Sequence, residues 1–229
     1  MILKNLFKTE EEIKGALIGT IFADGSIEKK RTPNGRGSCE ITNTSKNLDY
    51  LQFKKELFEM LPDFKCTIKP HNKKTKEKNY LLYRLTTNRT DWLTYLRDTI
   101  YVIKDGKREK HLSMEIVDQL TKIGFLLMYL DDGCLKVKYN KQGEPKQFIM
   151  TLCLESFCKN ELEYLLKVLN KMFGVEFRMY RHYKYEDRPD LGWRPWISTK
   201  GTLKIMEELN KYYDLIPSMR YKFPKYYLL

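Results

Sequence analysis

The sequence predicts an α+β protein of two pseudo-symmetric halves, each with the order helix, two strands, helix, two strands, helix. Three observations carry this. The chain of 229 residues is 42% hydrophobic and 13% aromatic, enough for a sizeable core in one large or two modest domains. Four sequence landmarks occur twice in the same order. Within each copy, apolar spacing switches between the helical and the strand period.

The landmarks set the register of the repeat. Glu12–Gly25 (EIKGALIGTIFADG) and Leu120–Gly133 (LTKIGFLLMYLDDG) are apolar segments ending in Asp-Gly, which makes Asp24 and Asp132 equivalent. Ser45–Leu51 (SKNLDYL) matches Cys158–Leu165 (CKNELEYL) with one inserted residue, and Leu85–Thr90 (LTTNRT) matches Ile197–Thr202 (ISTKGT). Lys110 then lies as far past Thr86 as Lys222 lies past Ser198. The boundary falls near Asp105–Leu112, giving halves 1–106 and 107–229.

In chain order, the first helix opens at Thr9 with Glu12 as its capping-box partner and runs to Asp24, with Ile13, Leu17, Ile21 and Asp24 on one face and Gly25 as the C-terminal cap. Strands Ser26–Lys30 and Cys39–Asn43 follow, joined by a loop containing Thr32–Gly37, and then a helix over Lys46–Met60. The second copy repeats this with strands Cys134–Tyr139 and Gln147–Cys153 and a helix over Asn160–Phe173, whose Leu162, Leu165, Leu166, Leu169 and Phe173 form a core stripe. Alternation leaves each sheet one buried and one polar face. Lys136 and Lys138 oppose Leu135 and Val137, Thr151 opposes Met150 and Leu152, Lys69 opposes Ile68, and Arg178 opposes Phe177 and Met179. A twisted antiparallel ribbon with a basic, hydrogen-bonding face can enter a DNA major groove and read base edges.

Composition narrows the function. The 42 Lys and Arg against 30 Asp and Glu leave a net charge of +12, which favours a polyanion, and nucleic acid is the commonest such partner. The apolar run Phe125–Leu130 is far shorter than the roughly 20 residues that span a bilayer. No small-residue cleavage site follows the N-terminus, so a non-secreted, intracellular protein of cytoplasm, nucleoid or organelle matrix is expected, without a membrane partner. Five cysteines form no CxxC pair, and an odd count argues for a reducing compartment. Three histidines without HxxxH spacing disfavour zinc, and there is neither a GxxxxGK phosphate loop nor a GxSxG elbow.

An aspartate at a helix C-terminus opposes the backbone dipole at a cost of about 0.3–1 kcal/mol, and this sequence does it twice. If the two helices pack side by side, as Gly15, Gly19 and Gly124 permit, the Asp24 and Asp132 carboxylates repel each other. A divalent cation removes that difficulty. Oxygen ligands favour Mg²⁺, and the chemistry that follows is phosphodiester hydrolysis. Phe125 and Tyr129 are expected to pack in the helix seam.

Leu17–Gly25 (LIGTIFADG) resembles the motif that names the LAGLIDADG homing endonucleases, and Phe125–Gly133 (FLLMYLDDG) is similar to the second copy in their single-chain, two-motif members. Ile216–Pro224 is similar to the lysine-bearing segment near the end of such proteins. The chain departs from the pattern at Phe22, where the family name has Asp, at Leu127, where it has Gly, and at Ser113, where a proline often stands.

The resemblance implies two αββαββα LAGLIDADG domains forming an antiparallel β-sheet saddle over double-stranded DNA. It implies that Asp24 and Asp132 hold Mg²⁺, for which Ca²⁺ or Mn²⁺ can substitute in binding, with the carbonyls of Ala23 and Asp131 assisting. Lys110 and Lys222 match residues that orient solvent or stabilise the scissile phosphates. The implied reaction cuts each strand once across the minor groove, leaving a staggered break with 3′ overhangs in a long, asymmetric site read by a monomer. Lys29, Lys30, Lys73, Lys74, Lys76 and Lys184 would meet phosphates, while Glu40, Thr42, Lys69, Arg84, Lys136, Lys138, Thr151, Arg178 and Arg194 would meet bases. In Trp193–Trp196, one tryptophan is expected to pack in the core and the other is free to stack on DNA. The alternative in another class is a LAGLIDADG-type maturase that binds intron RNA, which needs neither carboxylate.

Overall fold

The computed structural model describes residues 3, 6, 7, 9–31, 37–74, 79–104, 106–182 and 189–228. Helix α1 (Glu10–Phe22) leads into strands β1 (Ser26–Arg31) and β2 (Gly37–Ser45), helix α2 (Leu48–Phe58), strands β3 (Cys66–Lys74) and β4 (Asn79–Thr87), and helix α3 (Asp91–Ile100). A hairpin, β5 (Tyr101–Lys104) and β6 (Lys107–Lys110), and a short helix α4 (Met114–Val117) lead to the second copy. That copy comprises α5 (Lys122–Asp132), β7 (Gly133–Tyr139), β8 (Pro145–Leu152), α6 (Lys159–Phe173), β9 (Arg178–Arg181), β10 (Trp193–Ile197) and α7 (Thr199–Leu209). Two 3-10 helices, Asn210–Leu215 and Pro217–Lys222, and helix α8 (Lys225–Leu228) close the described chain. No helix among the described residues is long and apolar enough to cross a membrane.

Both halves carry the expected order of elements, and their sheets share one topology. The first is antiparallel in the order β1-β2-β4-β3 and the second in the order β7-β8-β10-β9. Register is also shared at the start of each sheet: Ser26 pairs with Thr42, and Cys134 with Thr151. Of the apolar positions expected to face inward, Met150, Leu152 and Phe177 are buried, Leu135, Val137, Ile68 and Met179 are half-buried, and Tyr139, on the same face as Leu135 and Val137, is exposed near the strand end. The stripe of α6 is buried at all five positions.

The first helix opens as its sequence dictates. Thr9 Oγ1 accepts the Glu12 N–H, and Glu12 Oε2 accepts the Thr9 N–H, each at 3.3 Å. Its end differs from expectation: α1 stops at Phe22, with Ala23 as its cap at φ −99°, so Asp24 lies just past the helix. Gly25 does not supply a left-handed cap as Gly174 does after α6 (φ 60°). Instead the Gly25 N–H bonds to the Thr20 carbonyl at 2.8 Å. Nor is α1 one-faced. Ile13 and every residue from Gly15 to Phe22 are buried, because the helix lies in the middle of the molecule against α5.

That contact is made backbone to backbone. A Cβ on Gly19 would overlap the carbonyl of Gly124, and one on Gly124 would overlap the carbonyl of Gly15. A Cβ on Gly15 would meet the Thr121 side chain, whose hydroxyl donates to the Glu12 carbonyl at 3.2 Å. Three glycines therefore permit the approach, and Leu127, fully buried, does not prevent it. Phe125 and Tyr129 are buried and stack on each other at 6.4 Å.

Candidate active site

The two motif aspartates come together at the ends of the paired helices. Asp24 is exposed and Asp132 is partly buried. The carboxyl of Asp132 is pushed up to about 7 by burial and by the charges of Asp24 and Asp131, against the pull of Lys110 and Lys222. The four charged residues singled out by the repeat thus share one electrostatic site.

Lys110 and Lys222 reach it from different structures but dock in the same way. Lys110 ends the β5–β6 hairpin, which lies at the boundary between the two copies. Tyr101 anchors that hairpin by accepting the Ile27 N–H at 3.1 Å. Lys110 Nζ donates to the carbonyls of Ile21 (2.8 Å), Ala23 (2.8 Å) and Gly25 (2.6 Å). Lys222, at the end of a 3-10 helix, donates to Leu130 (2.5 Å), Gly133 (2.9 Å), Asp131 (3.4 Å) and Tyr129 (3.5 Å). Burial lowers both amines from the usual lysine range, and the nearby aspartates oppose the shift. Each cation answers the negative end of a helix that carries no basic residue in its own last turn.

Asp131 does not present its carboxylate to this site. It receives Lys54 Nζ at 2.7 and 2.9 Å and the Tyr50 hydroxyl at 2.8 Å, both from α2 of the other half. Burial pushes the Asp131 carboxyl up and the Lys54 amine down, and the pairing of the two opposes both shifts. No motif singles out Tyr50 or Lys54, which lie on an ordinary amphipathic helix. The Asp131 carbonyl, which is what the resemblance assigns to the metal, remains beside Lys222.

An oxygen-only set of two carboxylates with the Ala23 and Asp131 carbonyls suits Mg²⁺, Mn²⁺ or Ca²⁺. Among the described residues no group of three or more His, Cys, Asp or Glu could hold a metal. The pair therefore fits an ion that takes its remaining ligands from substrate phosphate and water, as Mg²⁺ commonly does.

The polar sheet faces hold most of the residues expected to meet DNA. Lys30, Glu40, Thr42, Lys69 and Arg84 lie on one face of the first sheet by register, and Lys136, Lys138, Thr151, Arg178 and Arg194 on one face of the second. Lys29 is exposed but pairs with Cys39, on the opposite side of the pleat. Thr42 is only 8% exposed and bonds to Ser26 and Glu28. Several charges are already paired: Lys30 with Glu28 and Glu40, Glu40 with Arg89, Arg194 with Glu155, and Arg84 with the His71 ring. The Lys30 contact lowers the Glu28 carboxyl. Trp193 packs against the core beneath Lys159, whereas Trp196 pairs with Arg178 and Thr151 on the polar face. Lys76, Lys184 and the side chains of Lys73 and Lys74 lie outside the described residues.

Two packed motif helices, each with an aspartate at or just past its end and each capped there by a lysine at an equivalent place in the repeat, define a two-motif LAGLIDADG architecture. The model of the LAGLIDADG DNA endonuclease family matches residues 14–202, and the chain belongs to that family. Its fold is similar to the homing endonuclease I-WcaI bound to its DNA recognition sequence, at a TM-score of 0.68 and 20% identity, covering 96% of this chain and 89% of that one. It is also similar to I-DmoI in complex with DNA and Mn, at a TM-score of 0.50 and 17% identity over 90% of this chain and 96% of that one. Among curated proteins it is 25% identical over 209 residues to Protein RecA of Mycolicibacterium flavescens, covering 90% of this chain and 45% of that protein. It is 25% identical over 178 residues to Uncharacterized protein MJ1098 of Methanocaldococcus jannaschii, covering 76% of this chain and 62% of that protein. The chain thus spans less than two thirds of the length of these curated relatives.

Proposed function

We propose that the chain is a site-specific homing endonuclease that makes a divalent-metal-dependent, staggered double-strand break in a long asymmetric DNA site. The observation that carries this reading is the pairing of Asp24 and Asp132 at adjoining helix ends, each beside a lysine docked on equivalent carbonyls, Gly25 for Lys110 and Gly133 for Lys222. Solved proteins of the same fold bound to DNA, one of them with Mn, support the choice of substrate and of cation class.

In this reading Asp24 and Asp132 hold the cation, with the Ala23 and Asp131 carbonyls at hand. The bound ion supplies acidified water and charge neutralisation at the scissile phosphate. Lys110 and Lys222 fix the helix ends and bring positive charge to the same place, favouring an anionic substrate and the charge that develops during its cleavage. The two polar sheet faces each grip one half-site. Because their side chains differ, the preferred site is asymmetric.

A target can be recovered from a randomised duplex library by cleavage with Mg²⁺. Asp24→Asn or Asp132→Asn should abolish cutting of that duplex while electrophoretic shift assays in Ca²⁺ still show binding. Full activity in either variant would overturn the assignment. Binding of intron RNA without any DNA cleavage by the wild type would point instead to a maturase.

A further inference from the structure

Lys110 and Lys222 treat the ends of α1 and α5 alike, reaching the carbonyls of Ile21, Ala23 and Gly25 in one half and of their equivalents Tyr129, Asp131 and Gly133 in the other. The likeness has limits: Lys222 also reaches the Leu130 carbonyl, α5 runs on to Asp132 where α1 stops at Phe22, and one side chain differs in kind. Where the first motif has Ala23, the second has Asp131, held by Lys54 and Tyr50. Lys54 also donates to Asn43 Oδ1 at 3.0 Å, and the Tyr50 hydroxyl reaches the Leu127 carbonyl of α5 at 3.3 Å. The Lys54 and Asp131 side chains are 0% and 3% exposed.

The repeat places Leu152, Tyr164 and Val168 where Asn43, Tyr50 and Lys54 stand. Leu152 is buried, and the Tyr164 hydroxyl bonds to Asp118 at 2.8 Å, so Ala23 has no ionic counterpart of this kind. Burying an ion pair carries a desolvation cost of several kcal/mol per ion, and apolar side chains of similar volume are often at least as stable. Cohesion alone does not account for the network. What it adds is direction, because it ties the last turns of α5 at the Leu127 carbonyl and at the Asp131 carboxylate, one residue before Asp132.

We propose that Lys54 is a positioning residue for Asp132, and that through it the two halves of the centre are made unequal, so that the two DNA strands are cut at different rates. This rests on the nuclease reading above. The Lys54 amine is fully buried and bonds to the Asp131 carboxylate and to Asn43, so its influence runs through Asp131. It acts by keeping the Asp131 carboxylate away from the Asp24–Asp132 pair and the end of α5 in place.

The test compares wild type with Lys54→Met, Lys54→Arg and the double variant Lys54→Met/Asp131→Ala, which copies the apolar arrangement of the other half. Three quantities are measured: the cleavage rate of each end-labelled strand of the recovered duplex, Mn²⁺ affinity by electron paramagnetic resonance without DNA, and thermal melting. Wild type should cut one strand faster. Lys54→Met should slow one strand about tenfold more than the other and weaken Mn²⁺ binding about tenfold, the scale on which partners of metal-site residues act. Lys54→Arg should recover most of both, and the double variant should regain stability while cutting the strands at nearly equal rates.

Equal slowing of both strands in Lys54→Met, in step with a lower melting temperature, would reduce Lys54 to a structural role and overturn the proposal. So would a double variant that keeps the wild-type strand inequality. If wild type cuts no duplex at all, the nuclease reading fails. Unchanged Mn²⁺ affinity in folded Lys54→Met would then separately overturn the positioning role.

Discussion

At the scale of single residues, Lys222 is as much a part of the fold as of the site. It is 7% exposed and its amine satisfies the carbonyls of Leu130 and Gly133. Lys222→Met removes those donors and should lower the unfolding free energy by about 1–3 kcal/mol in urea titrations, apart from any effect on cutting. Asp24, Asp132, Lys110 and Lys222 were legible in the sequence because each occurs at a repeated spacing. Lys54 was not. It stands beside Lys55 on an amphipathic helix, where the pattern assigns a lysine to solvent, and it is buried because Asp131 arrives from the other half. The resemblance likewise offered Thr42 and Arg194 as base contacts, but nothing in the sequence pattern shows that Glu28 and Glu155 engage them.

Among elements, the α1–α5 seam depends on having no side chain at Gly19. Gly19→Ala forces a methyl against the Gly124 carbonyl, which must move as backbone. The expected loss is about 1–3 kcal/mol or more, read as a lower denaturant midpoint, with a weakened site because both aspartates stand at the ends of these helices. Strands and helices were readable wherever burial imposed a period, as in α6 and β8. The end of α1 was misjudged by two residues, because its carbonyls are capped by Lys110 from a distant hairpin rather than by a local glycine. That hairpin was itself missed. Val102 and Ile103 are exposed, so its alternation carries no burial signal that would set it apart from a junction between halves.

The whole molecule carries a net charge of +12 and two polar sheet faces that include Lys69, Lys136, Lys138 and Arg178 at exposed positions. For a protein meeting about 6–10 phosphates, DNA affinity should fall about 10³- to 10⁵-fold between about 50 and 200 mM salt, measurable by fluorescence anisotropy. Both motifs lie on one chain, so sedimentation equilibrium should return the single-chain mass of 27.5 kDa. The division of labour between seam and sheets sets how such a protein can diversify. Where two backbones touch, hardly any substitution is tolerated, whereas residues on the open pleat can be exchanged singly without disturbing the helix ends. Retargeting should therefore proceed by rewriting β1–β4 and β7–β10 while Gly15, Gly19 and Gly124 stay fixed, and a lineage of such proteins would show rapid drift in the strands around an almost invariant spine.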